Sequence, residues 1–231
     1  MARASLTAVI LLAGGRGRRL GGANKALLGR GPSGQGGETT TADPPTTTLL
    51  GQWCAALEER GLGGALVGDP TLGEHLSPAA AARLTVTQES PAFSGPAAGV
   101  CAGVRALLQR RRADADAAGA APEQLLLCAV DVAEPAPLLD WLLRSASRAP
   151  LEPGRDGLLP FDGQGRPQWL ASVIAAEWLR RRVGALPPDA ELGQSLRWLL
   201  GDASLMPLAM PPHLGHDIDD PEQARRFGFQ L

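Results

Sequence analysis

Two unbroken apolar runs constrain this chain most. Leu6-Thr-Ala-Val-Ile-Leu-Leu-Ala13 ends directly in Gly14-Gly15, and Gln124-Leu-Leu-Leu-Cys-Ala-Val130 ends directly in Asp131. Neither run alternates apolar with polar residues, so neither keeps a face for water. A strand covered on both faces belongs in the middle of a parallel sheet. Around these runs, helical and strand signals alternate. Leu49, Leu50, Trp53, Cys54 and Leu57 recur at helical spacing, and Gly61 to Gly64 closes that helix. Ala65–Val67 and Leu84–Val86 read as short strands. Gly95–Arg112 reads as a helix whose last turn holds Arg110, Arg111 and Arg112, where cations suit the helix dipole.

Further helices are predicted at Pro135–Arg144, Ala175–Val183, Leu192–Leu200 and Pro221–Phe227. Leu158–Phe161 and Leu170–Ile174 are predicted to pair around the turn signal Asp162-Gly163-Gln164-Gly165. The alternation predicts an α/β fold: three layers, Rossmann-like, a mostly parallel sheet with helices on both faces. Residues 1–231 are expected to form one domain. Residues 29–47, rich in Gly, Pro, Ser and Thr, have little to bury and read as a flexible loop.

Charge excludes some partners. The 22 Lys and Arg against 24 Asp and Glu give a net charge of −2, without the cationic excess that nucleic acid demands. Cys54, Cys101 and Cys128 are odd in number and form no Cys-x-x-Cys pair, and His75, His213 and His216 share no ligand spacing. The cysteines therefore read as small buried hydrophobes in a reducing, cytoplasmic setting. Trp53, Trp141, Trp178 and Trp198 read as core residues on helical faces. The Arg-rich stretch after Ala13 argues against a signal peptide, and no run is long enough to span a bilayer.

The chemistry concentrates at strand ends, where ligands bind in open α/β sheets. After the first strand, Leu12-Ala-Gly-Gly-Arg-Gly-Arg-Arg-Leu-Gly-Gly-Ala-Asn-Lys25 places glycines before Arg16, Arg18, Arg19 and Lys25. Glycines let the backbone approach a ligand and aim N–H groups at phosphate oxygens, and the cations offset its charge. The stretch is neither a Walker A loop nor Gly-x-Gly-x-x-Gly, which counts against a dinucleotide-binding oxidoreductase. Asp131 fits either a ligand for a hard cation or an N-cap for the helix near Pro135. Asp217-Ile-Asp-Asp-Pro-Glu222 makes a good helix start, and alternation puts Asp217 and Asp219 on one side, so one of them can join Asp131 at a metal. Gly95-Pro96-Ala-Ala-Gly99 opens a helix with small residues, which suits a tight turn or a planar ligand.

Taken in order, these segments resemble the nucleotidyltransferases related to molybdenum cofactor guanylyltransferase. Leu12 to Lys25 resembles the family's phosphate-binding signature, and Ser94 to Gly99 its Gly-Pro-Leu-Ala-Gly segment. Leu127-Cys-Ala-Val-Asp131 resembles the strand ending in a metal-binding Asp. Arg166-Pro-Gln-Trp-Leu-Ala171 is similar to the acceptor-handling segment, and Asp217 to Glu222 to the C-terminal Asp-Val-Asp-Thr-Pro-Glu. The resemblance implies transfer of a nucleoside monophosphate, GMP before others, from a triphosphate to a phosphorylated acceptor such as molybdopterin, with release of pyrophosphate.

By position, Leu12, Ala13, Gly14, Gly15, Arg16, Lys25, Gly95 and Pro96 would bind nucleotide. Arg19, Lys25 and Asp131 would be catalytic, and Asp131 and Asp219 would hold Mg2+. Lys25 is expected to stand exposed at the site. Partners would be GTP and the acceptor, with no nucleic acid or membrane, in a monomer or weak homo-oligomer. The chain departs from the family at Asn24, where Asp is common, and at Val132-Ala133-Glu134, where Met-Pro-Phe is usual. These departures keep two alternatives open: a cytidylyl- or guanylyltransferase with another phospho-acceptor, and a nucleotide-binding accessory protein without turnover.

Overall fold

The computed structural model describes residues 7–15, 20, 22, 24–30, 47–113, 121–149 and 154–230. Ten strands occur among them: β1 (Thr7–Leu12), β2 (Gly29–Arg30), β3 (Thr47–Thr48), β4 (Gly63–Val67), β5 (Leu84–Thr87), β6 (Gln124–Ala129), β7 (Gly157–Phe161), β8 (Ala171–Ala175), β9 (Leu205–Ala209) and β10 (Phe229–Gln230). The helices are α1 (Leu49–Glu59), α2 (Pro78–Arg83), α3 (Pro96–Ala113), α4 (Pro135–Arg148), α5 (Ala176–Gly184), α6 (Leu196–Leu200) and α7 (Pro221–Arg226). Seven strands form one sheet in the order β5-β4-β1-β6-β8-β7-β9, and β10, β2 and β3 form a small second sheet. In the large sheet only β8 runs against its neighbours. The fold is thus Rossmann-like α/β with a mostly parallel sheet.

The two apolar runs lie side by side. β1 and β6 pair in parallel from Thr7 with Gln124 to Leu12 with Ala129. Alternate residues point to opposite faces, and both faces are covered. Val9 and Leu11 join Trp53 of α1 and Leu138 and Leu142 of α4 in one core cluster. Ile10 joins Val100 and Val104 of α3, Leu179 of α5 and Leu199 of α6 in the other. Of the four tryptophans expected in the core, Trp53 is fully buried and the other three are half-buried against these clusters. All three cysteines are buried and unpaired. Burial pushes the Cys54 thiol up to about 11 and those of Cys101 and Cys128 up to about 12.

Some expected boundaries move. Gly63 and Gly64, read as helix terminators, belong to β4. A Cβ on Gly64 would stand 1.9 Å from the Val9 carbonyl oxygen, so β1 and β4 pack backbone to backbone there. The helix expected from Leu192 begins only at Leu196, where the Ser195 side chain caps it by accepting the Trp198 N–H at 3.2 Å. Residues 189–194 instead form turns, with Asp189 and Gly193 at positive φ. α4 runs to Arg148, beyond its expected end. β9 and α2 were not foreseen. Of the loop expected at 29–47, the ends Gly29–Arg30 and Thr47–Thr48 pair as β2 and β3, and residues 31–46 lie outside the described residues. No helix among the described residues is long and apolar enough to cross a membrane.

The clash at Gly64 sets a test. Gly64→Ala should cost about 3 kcal/mol, lowering Tm by roughly 6–12 °C. Gly184→Ala, whose Cβ would meet nothing within 4 Å, should leave Tm unchanged or slightly raised. Thermal unfolding followed by circular dichroism reads both.

Candidate active site

The sheet leaves β1 for β4 and β5 on one side and for β6 on the other. Its topological switch therefore falls between the carboxyl ends of β1 and β6, where ligands bind in such sheets. A cavity of about 710 Å³ opens there. Leu12, Ala13, Gly14, Gly15 and Lys25 line one side of it. Gly95 and Pro96, Asp131 and Val132, Gln168 to Ala171, Ser195 to Arg197 and Asp217 are also among its lining residues.

At this cavity the Lys25 ammonium donates to Asp131 Oδ2 at 2.7 Å and to Asp219 Oδ1 at 2.6 Å. These partners are 106 and 194 residues away in the chain. Each is placed by a separate device. Asn24 caps the short 3-10 turn Lys25–Leu27, its side chain accepting the Ala26 N–H at 3.1 Å. That turn fixes where Lys25 leaves the backbone. Asp131 follows β6, and the indole of buried Trp53 holds the residue before it by donating to the Val130 carbonyl at 3.1 Å. The 216–218 segment lies antiparallel along 131–133. The Ala133 N–H donates to His216 O at 2.9 Å, the Ile218 N–H donates to Asp131 O at 2.8 Å, and Val132 and Asp217 form a β-bridge. This pairing delivers Asp219 to Lys25.

The open reading of Asp131 resolves here. The α4 N-cap is Glu134, without a side-chain cap bond, and Asp131 bonds to Lys25 instead. In the C-terminal motif the cap is Asp220, which accepts the N–H groups of Glu222 and Gln223 at 2.9 and 2.8 Å. Asp217 is thereby left to line the cavity and Asp219 to meet Lys25. Lys25, expected to be exposed, is only 19 % exposed at its side chain. Burial alone would lower its pKa. The Asp131 and Asp219 carboxylates outweigh burial and raise it, so the ammonium keeps its proton. Asp217 faces the open cavity yet is crowded by its walls. That crowding first, then the charges of Asp131 and Asp219, raises its carboxyl to about 6, with Lys25 acting in the opposite sense.

Other expected residues fall as follows. Arg16 and Arg19 lie outside the described residues. Gly95 has φ +95°, a backbone geometry that favours glycine, and it starts the turn into α3. The turn is braced from residues 191–194. The Gly193 N–H donates to Ser94 O at 2.7 Å, and buried Glu191 pairs with Arg105 of α3 at 2.5 Å. Of the segment Arg166 to Ala171, the last four residues line the cavity, whereas Arg166 pairs with Asp162 in the adjacent turn at 2.8 Å. The sequence reading passed over Glu89, Phe93 and Arg197 on the cavity wall. Glu89 stands two residues past β5, and an acid just beyond a strand end was the available signal.

The donor set suits magnesium. Asp131 and Asp219 are hard oxygen donors already converging on one cation. Among the described residues, three carboxylates, Asp131, Asp217 and Asp219, gather about the one ammonium of Lys25. Among the described residues no three or more His, Cys, Asp or Glu form a complete metal cage. One or two carboxylates, with phosphate and water completing the shell, is how Mg2+ is commonly held.

Parallel strand ends carrying glycines and a lysine against aspartates, on this fold, define an α/β nucleotidyltransferase. Residues 9–204 match the family model described as the MobA-like NTP transferase domain, and the chain belongs to that family. Among solved structures it is similar to Rv0371c from Mycobacterium tuberculosis H37Rv (TM-score 0.57, 18 % identity, covering 96 % of this chain and 97 % of that one). It is also similar to molybdopterin-guanine dinucleotide biosynthesis protein A from Archaeoglobus fulgidus (TM-score 0.56, 16 % identity, 96 % and 97 % covered). A third likeness is to 4-diphosphocytidyl-2C-methyl-D-erythritol synthase from Anaerococcus prevotii DSM 20548 (TM-score 0.52, 6 % identity, 98 % of each chain covered). At these identities the likeness is one of fold. No curated protein matches the chain significantly in sequence.

The triad predicts a specific stability pattern. In EDTA, Lys25→Met should lower stability by about 1–2 kcal/mol, because the acidic groups lose their counter-charge in a partly screened site. Added magnesium should raise the Tm of Lys25→Met more than that of wild type, since the ammonium no longer competes for the carboxylates. Thermal shift with a magnesium titration reads both.

Proposed function

We propose that the protein transfers GMP from GTP to a phosphorylated acceptor such as molybdopterin. An acceptor phosphate oxygen forms a bond to the α-phosphorus, the bond from that phosphorus to the bridging oxygen breaks, and pyrophosphate leaves. The observation that carries this reading is the Lys25 ammonium held between Asp131 and Asp219 on the wall of the cavity at the switch point.

In this reading Gly14 and Gly15 offer backbone N–H groups to phosphate oxygens, with Leu12 and Ala13 beneath them and Arg16 adding charge. Lys25 turns from the aspartates to the phosphates and stabilises the charge that grows on them in the transition state. Arg19, as the resemblance implies, would bind phosphates with Lys25. Asp131 and Asp219, released by Lys25, would hold Mg2+, which when bound offsets the triphosphate's charge. Gly95 and Pro96 border the ribose and base, and Gln168 to Ala171 border the acceptor. The name of the Archaeoglobus neighbour supports guanylyl transfer to molybdopterin. The three buried thiols accord with a reducing, cytoplasmic setting.

A second reading, cytidylyl transfer, is favoured by the fold shared with the Anaerococcus synthase. The accessory reading loses its footing. Asn24 performs the cap that an Asp would perform, and Val132 and Ala133 are buried in the strap that places Asp219.

Pyrophosphate release, measured with magnesium and molybdopterin against GTP, CTP, ATP and UTP in turn, tests the proposal. GTP should turn over fastest, and Asp131→Ala should lower that rate at least about 100-fold. Faster turnover with CTP would establish the cytidylyl reading. No pyrophosphate from any triphosphate would overturn transfer to molybdopterin.

A further inference from the structure

We propose that Glu191 is a positioning residue for nucleoside binding, acting with Arg105 through the turn at 191–194 on Gly95 and Pro96. The inference rests on the nucleotide-transfer reading of the cavity. Glu191 is not among the lining residues, yet its carboxylate belongs to a residue only 4 % exposed. Among the described residues no other charged residue is buried to that degree. Oε1 accepts from the Arg105 guanidinium at 2.5 Å, and Oε2 is buried without a hydrogen-bond partner among the described residues. Burying a charge is costly, and a buried ion pair often stabilises no better than apolar side chains of the same volume. Stability gives little reason for a carboxylate here, whereas position gives one.

Both ends of the pair lead to α3. Gly99 and Gly103 seat that helix closely on β1. A Cβ on Gly103 would stand 2.7 Å from Ile10 Cγ2, and one on Gly99 would stand 3.2 Å from Leu12 Cδ2. Arg105 therefore projects from a helix fixed against the strand that ends in Gly14-Gly15. Glu191 comes from 86 residues further along the chain. Its carbonyl accepts the Gln194 N–H at 3.2 Å and closes the turn.

From that turn the contacts return to the start of α3. The Gly193 N–H donates to Ser94 O at 2.7 Å, and Gln194 O accepts the Ala97 N–H at 3.3 Å. The same carbonyl oxygen lies 3.4 Å from where a Cβ on Gly95 would stand. Arg105, Glu191, the turn and residues 94–97 thus form a closed circuit, with Gly95 and Pro96 inside it. The turn also runs straight into Ser195, Leu196 and Arg197, which line the cavity too. One ion pair therefore sets two lining segments. Lys25 is set by a separate turn, and Gly14 and Gly15 by β1. Loosening the pair moves the wall beside the nucleoside and leaves the phosphate side in place.

Calorimetric titration of the full chain in magnesium tests this, using wild type, Glu191→Leu, Glu191→Gln and Arg105→Met. The probes are the four nucleoside triphosphates and inorganic tripolyphosphate, which has phosphates and no nucleoside. Glu191→Leu, close in volume and without an acceptor, should weaken the best-bound nucleoside triphosphate about 10-fold and leave tripolyphosphate unchanged. Glu191→Gln, which still accepts from Arg105, should bind as wild type does. Arg105→Met changes the half-exposed partner and should show the same loss even if Glu191→Leu folds poorly. In Arg105→Met the Gly193 and Ala97 amides should also exchange hydrogen faster, with those of β1 and β6 unchanged.

Wild-type affinity for nucleoside triphosphate in either folded variant, Glu191→Leu or Arg105→Met, would overturn the proposal while leaving the nucleotide reading intact. An equal loss for tripolyphosphate would also overturn it, since the pair would then only support the fold. A loss in Glu191→Gln as large as that in Glu191→Leu would remove the Arg105 contact as the cause and overturn it likewise. If wild type bound no nucleoside triphosphate, both readings would fall together.

Discussion

An ammonium between two carboxylates is the contact on which the arrangement of this site depends. Lys25 comes from a turn after the first strand, Asp131 from the end of β6, and Asp219 from the last fifteen residues of the chain. A surface ion pair contributes little to stability. This one matters because its geometry exists only when three distant segments are in register. β1 must lie beside β6, so that Leu12 and Ala129 end level. The 216–218 segment must then pair with 131–133. The third core cluster, with Leu28, Leu49, Ala133, Ile218 and Phe229, fills the space beneath that junction. Burial there stabilises the turn carrying Lys25 and the strap carrying Asp219 at once.

What was legible in the sequence follows from how strongly each element's environment marks its residues. β1 and β6 are buried on both faces, so they read as continuous apolar runs, and their chemical termini could be located to the residue. β9 contains Pro207, sits at the sheet edge and is at most half-buried. Edge position tolerates the missing N–H and leaves no apolar signature. Gly63 and Gly64 look like a helix stop, and only the neighbouring backbones of Arg83 and Val9 show why a strand needs them. Leu196, Leu199 and Leu200 do sit at helical spacing, but the turns braced by Glu191 take the residues before them.

The site was legible by class and not by partner. Asp131, Asp217 and Asp219 all stood out as acids near strand or helix ends. Local rules offered capping for each of them, but Asp220 does that work at α7 and Glu134 stands at the α4 N-cap without a side-chain bond. Lys25 was expected to stand in solvent because nothing in its own segment covers it; the cover comes from the other end of the chain. Phe93 carried no periodic signal at all. Its placement depends on a backbone conformation that a lone aromatic before Ser-Gly-Pro does not announce.

The residues that depart from the family pattern become intelligible in the same terms. At Asn24 the structural need is an acceptor for the Ala26 N–H, and an amide oxygen meets it as a carboxylate would. The neutral side chain also adds no fourth negative charge to a cluster already rich in acids. At Ala133 the change goes further. A proline there has no N–H, whereas Ala133 donates to His216 O. The chain therefore gains one backbone hydrogen bond in the strap that carries Asp217 and Asp219. In this protein the C-terminal carboxylates are tied to the end of β6 by the bridge at Val132 with a bond on either side of it, at Ala133 and at Asp131. The substitution that first appears to weaken the site thus holds its acidic half in place before any ligand arrives.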